Sequence, residues 1–475
     1  MHPKPWTVAD ILEATGGRLR SGETRRRFSG ISIDSRIITA DELFLTLKGD
    51  VYDGHDFIPD VIRKGIGGIV MAEEKAGPSI IAELKQKGVV CVTVKETLKG
   101  LGNLAAFHRR RGRVSVIAVT GSNGKTTTRE MAASILSQSY NVLATSGNLN
   151  NEIGLPLTLL RLCPDHQWAV LELGMNHPGE IRRLTEICNP DIGIITNIGS
   201  AHLEGLGSID GVMRAKGELL EKIKPEGTAV LNADDPRVLK LAAAWKGKRL
   251  LFGTSDRADV RAVSIGEKGH KTRFTIAVAG KDIAVSLNMP GHFMISNALA
   301  AAAAAHAAGS SAAEIKAGLE KARPVTGRMN IYPTRQGIHL IDDTYNANPD
   351  SMSAAIRTLH ALAKGERTVL VAGDMLELGA HAEALHKKIG AVAAGLHIAK
   401  IYFTGKYSQA VLAGARDKGM APEDIYIGSR EQIFTHLTSW LRKGDWVLIK
   451  GSRAMGMETI LQALKSRYDA PAPKP

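Results

Sequence analysis

Cysteine is scarce in this chain, with only Cys91, Cys163 and Cys188 along 475 residues. An odd, widely spaced set excludes a disulfide framework, and the cysteines show no metal-ligand spacing. Aromatic residues make up only 5%, and none interleave with basic clusters, so a stacking platform for nucleic acid is not indicated. No apolar run reaches the roughly 18 residues of a membrane span. The nearest, Ala298–Ala308, is too short. The opening MHPKPWTVAD has no apolar stretch of signal-peptide length. These absences predict a cytoplasmic protein with no membrane insertion.

What is present fits a soluble globular class: 44% apolar and 23% charged residues. The length exceeds one ordinary core and predicts two to four domains. The formal charge is +13, which calls for anionic partners. Basic residues are dispersed; the densest cluster, HRRRGR at His108–Arg113, reads as a solvated helix end before a strand. Nucleotides and phosphorylated small molecules suit this charge as well as nucleic acid does.

The chain divides into three segments, with boundaries near residues 98 and 327. Residues 1–98 hold short strands, glycine-rich turns and an αβ unit ending in VVCVTV. The middle segment, 99–327, alternates helices with VSVIAV, WAVLEL, DIGIIT and TAVLN, runs that read as strands buried on both faces. That alternation predicts a doubly wound, mostly parallel sheet. TRFTIAV-AGKD-IAVSLNM predicts a hairpin, followed by the helix SNALAAAAAAHAA. Residues 328–475 alternate again through HLIDD, RTVLVAG, KIYFTG, DIYIG and DWVLIKG, and the tail APAPKP is expected to be disordered.

The stretch VSVIAVTGSNGKTTTREMAASIL carries the clearest chemistry. A buried strand ends at Thr120, the turn Gly121-Ser122-Asn123-Gly124 follows, and a helix starts near Lys125. Glycines let the backbone approach phosphate, and the helix N-terminus presents unpaired N–H donors. Lys125 would reach the outer phosphates and Thr126 would offer its hydroxyl to Mg²⁺. Val119 stands where the generic loop has its first glycine, so this is a shortened variant.

Glu172 lies near the end of its strand and His202 just past another. In an open parallel sheet, ligands bind outside the carboxyl ends of strands. These two residues can therefore converge with Lys125 and Thr126 as Mg²⁺ ligands, direct or through water. Lys216 sits in the predicted helix GVMRAKGELLEKI. Taken alone it reads as a surface partner of Glu218 or Glu221. NADDP reads as a helix cap or a nucleotide contact.

TGSNGKTTT, GNLNNEIGLP, ELGMNHPGEI, TNIGSAHLEGLGS, AKGEL, NADDP, DDTYNANPDSM, GDMLELG and KGSRAMGMETI occur in this order. The set resembles the Mur ligases, specifically the D-alanyl-D-alanine-adding (MurF) type, over nearly the whole chain. The resemblance implies an α/β fold of three domains: a small UDP-substrate domain at 1–98, a central P-loop-type ATPase domain at 99–327, and a Rossmann-like dipeptide domain at 328–475. It implies ATP and Mg²⁺ as cofactors, with UDP-N-acetylmuramoyl-tripeptide and D-alanyl-D-alanine as partners. It also implies peptidoglycan-precursor synthesis by a monomer that binds no nucleic acid.

By position, the resemblance gives a nucleotide set of Gly121, Ser122, Asn123, Gly124, Lys125, Thr126, Thr127, Asn297, Arg328 and Asp343. Its metal set is Thr126, Glu172, His202 and Lys216, the last as a carbamate. Lys125, Glu172, His202, Lys216 and Asn151 are the implied catalytic residues. Asn150 and Asn151 would lie near the substrate carboxyl; Tyr345, Asn346 and Asn348 match the type-specific loop. Asp34-Ser35-Arg36 and Asp53-Gly54-His55 would hold the UDP moiety. One departure stands out: Phe293 and Met294 replace the family's His-Asn before Asn297, and His292 reads as a loop residue. The diaminopimelate-adding type usually carries DNPR, which is absent, and folate ligases lack DDTYNANP. Open and closed forms hinged near residues 98 and 327 are expected.

Overall fold

Apolar runs cut by glycine- and proline-containing turns build four sheets in the computed structural model, which describes residues 3–268 and 271–469. The expected disordered tail lies outside the described residues. The central sheet has nine strands. From Val260–Lys268 it runs in parallel through Lys248–Gly253, Thr228–Asn232, Ile192–Ile195, Ser115–Thr120 and Trp168–Glu172 to Val142–Ala144. Val116 to Val119 and Ala169 to Leu171 are fully buried, as strands covered by helices on both faces must be. The expected hairpin forms from Lys271–Val278 and Lys281–Leu287, antiparallel at one edge. Its turn residues Ala279 and Gly280 have φ of 48° and 72°, the left-handed pair that matches strand twist.

Strand Ser115–Thr120 lies between Trp168–Glu172 and Ile192–Ile195. The chain leaves it to one side and returns to the other, opening a crevice at the carboxyl ends of these three strands. A six-stranded sheet follows, with Asn330–Pro333 antiparallel and His339–Asp343, Trp446–Lys450, Thr368–Gly373, Lys400–Thr404 and Ile425–Ile427 parallel. The N-terminal five-stranded sheet sets Ile31–Ser32, Leu43–Leu45, Gly68–Ala72 and Val90–Val94 parallel, with Arg18–Ser21 antiparallel. Helix Thr97–Arg110 packs on Val8–Thr15 and on Gly154–Leu159, tying the first segment to the middle one. Arg109 in HRRRGR is buried there, with Nη2 donating to the Asn189 carbonyl at 3.0 Å, so only part of that cluster is a solvated helix end. Among the described residues no helix is long and apolar enough to cross a membrane.

Candidate active site

The turn after Ser115–Thr120 is shaped by its neighbours. Gly121 has φ 148° and Gly124 has φ 82°. A Cβ on Gly121 would lie 1.8 Å from Thr196 Oγ1, and one on Gly124 would lie 2.1 Å from Asn297 Oδ1, so only glycine fits either position. Asn197 clamps the loop: its Oδ1 accepts from the Asn123 N–H at 2.9 Å and its carbonyl accepts from Ser122 N–H at 3.0 Å. Helix Lys125–Leu136 follows with no side-chain cap, leaving its first donors for an anion. Lys125 Nζ donates to the Gly121 carbonyl at 2.9 Å. Burial pushes its pKa down, and Arg328 adds to the effect, against the opposing pull of Glu172 and Glu377.

A cleft of about 710 Å³ opens over this loop. Ser122, Asn123, Gly124, Lys125, Thr126, Asn150, Asn151, Glu172, His202, Arg328, Tyr345, Asn346 and Asn348 all line it. Glu172 is 3% exposed; its Oε1 accepts from Asn150 Nδ2 at 2.8 Å, while its buried Oε2 accepts no hydrogen bond and lies 3.6 Å from Arg129 Nη1. An unfilled buried carboxylate oxygen beside a phosphate loop suits a hard cation, which prefers oxygen ligands. His202 sits at φ 56° with Nδ1 2.6 Å from Glu377 Oε2. Burial lowers the His202 pKa, against the effect of Glu377. Asn151 Oδ1 accepts from the Gly154 and Ile153 N–H groups at 2.8 and 3.2 Å, anchoring the start of helix Gly154–Leu159.

The far wall comes from the last segment. Asn348 caps helix Pro349–Ala363 through Ser351 N–H, and its Nδ2 donates to Asn123 Oδ1 at 2.8 Å. Ser200 N–H donates to Asp350 Oδ2 at 2.8 Å. Arg328 stacks on the Tyr345 ring at 4.2 Å and reaches Thr126 Oγ1 at 3.4 Å. A second cavity of about 360 Å³ adjoins, lined by Thr127, Asn297, Arg328 and Asp343 together with Phe293 and Met294. Asp343 Oδ2 accepts from buried Lys450 at 2.5 Å. The Met294 sulfur lies 3.9 Å from Asn297 Nδ2, so a soft apolar group occupies the place of the missing amide. His292 is an exposed first residue of helix His292–Ala307, not a loop residue.

Lys216 departs from its surface reading. It is 1% exposed, while Glu218 accepts from the Gly179 and Arg182 N–H groups and Glu221 pairs with Arg182. It does not line the cleft but lies behind it, within electrostatic reach of Lys125 and His202. Asp235 of NADDP caps helix Pro236–Ala244 and accepts from Ile198 N–H at 2.7 Å.

Asp34, Ser35 and Arg36 line a third cavity, about 1350 Å³, between the N-terminal sheet and Leu157, Leu160 and Arg161. Asp34 is held to about 2, chiefly by the Arg36 guanidinium. Asp53 and His55 do not share this wall; Gly54 alone of that triplet does. Instead His55 Nδ1 lies 2.5 Å from Asp53, and its Nε2 accepts from Ala72 N–H at 3.0 Å. The imidazole thus ties this turn to a buried strand. Burial resists ionisation of Asp53, but the His55 N–H, the His55 ring and Lys75 together hold its carboxyl at about 2. A depressed acid stabilises the fold above its unfolded pKa of about 3.9 and loses that contribution as pH falls towards 2. Asp53→Asn is expected to cost about 2 kcal/mol at pH 7 and roughly half that at pH 3. Urea unfolding at both pH values checks it; an equal cost at both would show that the charge is not the source.

Glu377, Asp350, Asn197 and Lys450 went unread in the sequence, although GDMLELG, DDTYNANPDSM, TNIGSAHLEGLGS and KGSRAMGMETI contain them. Cys163, Asp165 and His166 gather their ligand atoms within 4.8 Å of one another, and the Cys163 N–H donates to His166 Nδ1 at 2.9 Å.

The chain matches three family profiles: Mur ligase family, catalytic domain, over residues 27–109; Mur ligase middle domain, over 119–305; and Mur ligase, glutamate ligase domain, over 327–453. It is 36% identical over 464 residues to the UDP-N-acetylmuramoyl-tripeptide–D-alanyl-D-alanine ligase of Escherichia coli, covering 97% of this chain and 98% of that protein. The crystal structure I of MurF from Acinetobacter baumannii superposes with a TM-score of 0.90 at 34% identity, covering 98% of this chain and 100% of that one. MurF ligase from Thermotoga maritima in complex with ADP gives 0.82 at 27% identity, covering 93% and 98%.

Proposed function

This chain belongs to the Mur ligase family, and on that premise we propose that it joins D-alanyl-D-alanine to UDP-N-acetylmuramoyl-tripeptide with cleavage of ATP to ADP and phosphate. The carrying observation is that Lys125, Glu172, His202, Tyr345 and Asn346 face one cleft from strand ends of two sheets. A carboxylate is a poor electrophile, so its oxygen first attacks the γ-phosphorus and ADP departs. The acyl phosphate then meets the dipeptide amine, the tetrahedral intermediate collapses, and the C–O bond to phosphate breaks as the amine loses a proton. Both stages spread negative charge over oxygens, which Lys125 and the uncapped helix donors neutralise.

We assign residues 1–98 to the UDP substrate, 99–327 to ATP and 328–475 to the dipeptide. The three cavities, which adjoin these segments, support that division. The open acceptor on Glu172 and the Thr126 hydroxyl would hold Mg²⁺, with His202 and a carbamate on Lys216 completing the set. Bound there, the ion would supply further neutralisation of phosphate oxygens. Phosphorylated cosubstrates support a cytoplasmic setting.

The test is phosphate release with the UDP-tripeptide, comparing D-alanyl-D-alanine with other amines. Release is expected only when both substrates are present and to be fastest with the dipeptide. Release at the same rate without any amine would favour a nucleotide switch instead.

A further inference from the structure

We propose that Glu377 is a positioning residue, carried on the dipeptide-side segment, that fixes His202 only when the two halves of the cleft meet. The inference rests on the assignment of His202 to the metal set. Three contacts join the segments that carry them across the cleft. Glu377 Oε2 lies 2.6 Å from His202 Nδ1. The Glu204 N–H donates to the Glu377 carbonyl at 3.1 Å. Gly379 packs on Glu204, where a Cβ would sit 3.4 Å from its Cα.

Both touching residues hold left-handed backbones, with φ 56° at His202 and 63° at Glu377. Such conformations persist in non-glycine residues only where surrounding structure over-determines them. Around Glu377 it does. Asp374 accepts from the Lys406 and Tyr407 N–H groups at 2.7 and 3.1 Å. The Met375 N–H donates to His386 Nε2 at 2.9 Å, and His386 is wholly buried. Leu376 N–H donates to Ser452 Oγ at 2.9 Å. Met375 and Leu378 are both core residues, so the loop is pinned on either side and Glu377 points across the cleft.

Nothing comparable holds the imidazole from its own side: among the described residues the buried Nδ1 has no aligned hydrogen-bond partner, and its close polar contact is with Glu377 Oε2. Parting the halves therefore leaves His202 unsupported, and docking restores it. Competence at the phosphate loop is thereby coupled to closure of the segment that brings the amine, which guards ATP against hydrolysis without an acceptor.

Glu377→Ala in the full chain tests this. The Glu377 side chain is 54% exposed, so the fold is expected to survive. Loss of an outer-shell partner is expected to raise the apparent Mg²⁺ activation constant about tenfold and to lower kcat by about 10–100-fold. The KM for UDP-tripeptide should stay within about twofold, since Glu377 does not line the cavity assigned to the UDP moiety. Small-angle scattering should show less compaction on adding an ATP analogue and both substrates. Wild-type compaction with an unchanged Mg²⁺ constant would overturn the proposal. His202→Ala separates the two levels. If it leaves the Mg²⁺ constant unchanged, the metal assignment fails and the proposal with it. If His202→Ala is impaired while Glu377→Ala behaves as wild type, only the role of Glu377 falls.

Discussion

Lys125→Ala is expected to slow substrate-dependent phosphate release by about 10²–10³-fold while leaving the melting temperature unchanged or raised. The rate effect follows from position. Lys125 is the lysine at the mouth of the phosphate loop, and its Nζ is held by one carbonyl, that of Gly121. A preorganised cation beside developing charge in a partly enclosed cleft is worth far more than one in water. The stability effect has the opposite sign. Burial and Arg328 push the Lys125 pKa down in the fold. The unfolded chain therefore binds that proton more tightly, and the charged lysine costs stability at any pH below its folded pKa. Alanine removes that cost. Calorimetry alongside a phosphate-release assay checks both halves. A marked drop in melting temperature in step with lost activity would make Lys125 a structural residue.

The parallel strands of the middle and last segments were legible because burial on both faces leaves a continuous apolar run, with little alternation to misread. RTVLVAG, for example, contains the observed strand Thr368–Gly373, buried at every position. The phosphate loop was legible because two of its positions admit only glycine, so the backbone requirement is written in residue identity. Side-chain direction was less legible. DGHD signals a turn, but nothing local says that the His55 ring accepts from Ala72 N–H, 17 residues away. Lys216 shows the same limit. Closeness in sequence suggests Glu218 and Glu221 as its partners, yet offsets of two and five residues point to other faces of the helix, and Glu218 is drawn off by backbone donors on helix Glu180–Cys188 and at its N-cap Gly179. Glu377 was unreadable for another reason: its partner lies 175 positions away, and the pairing exists only because two sheets present their carboxyl ends to each other.

Lys216→Met is expected to cost about 100-fold or more in rate and to raise stability. Lys216 is 1% exposed, and among the described residues no ion pair or side-chain hydrogen bond meets it. Burial pushes its pKa well down, with the nearby Lys125 cation adding to the shift. An unpaired ammonium there is unfavourable, and two changes relieve it: loss of the proton, or conversion to an anion. A lowered pKa leaves more neutral amine near pH 7 than a surface lysine has, and neutral amine is the form that adds CO₂. The resulting carbamate would exchange repulsion from Lys125 for attraction and offer oxygen ligands towards the cleft. Because the unfolded chain holds this proton more tightly, uncarbamylated protein should gain stability as pH rises from the folded pKa towards the ordinary lysine value of about 10.4, and the methionine variant should lose that slope. Wild-type enzyme prepared without CO₂ should be slow and recover with bicarbonate, whereas the methionine variant should respond to neither. Mass spectrometry finding a bare amine at Lys216 in fully active enzyme would refute the carbamate and leave the lysine a different task.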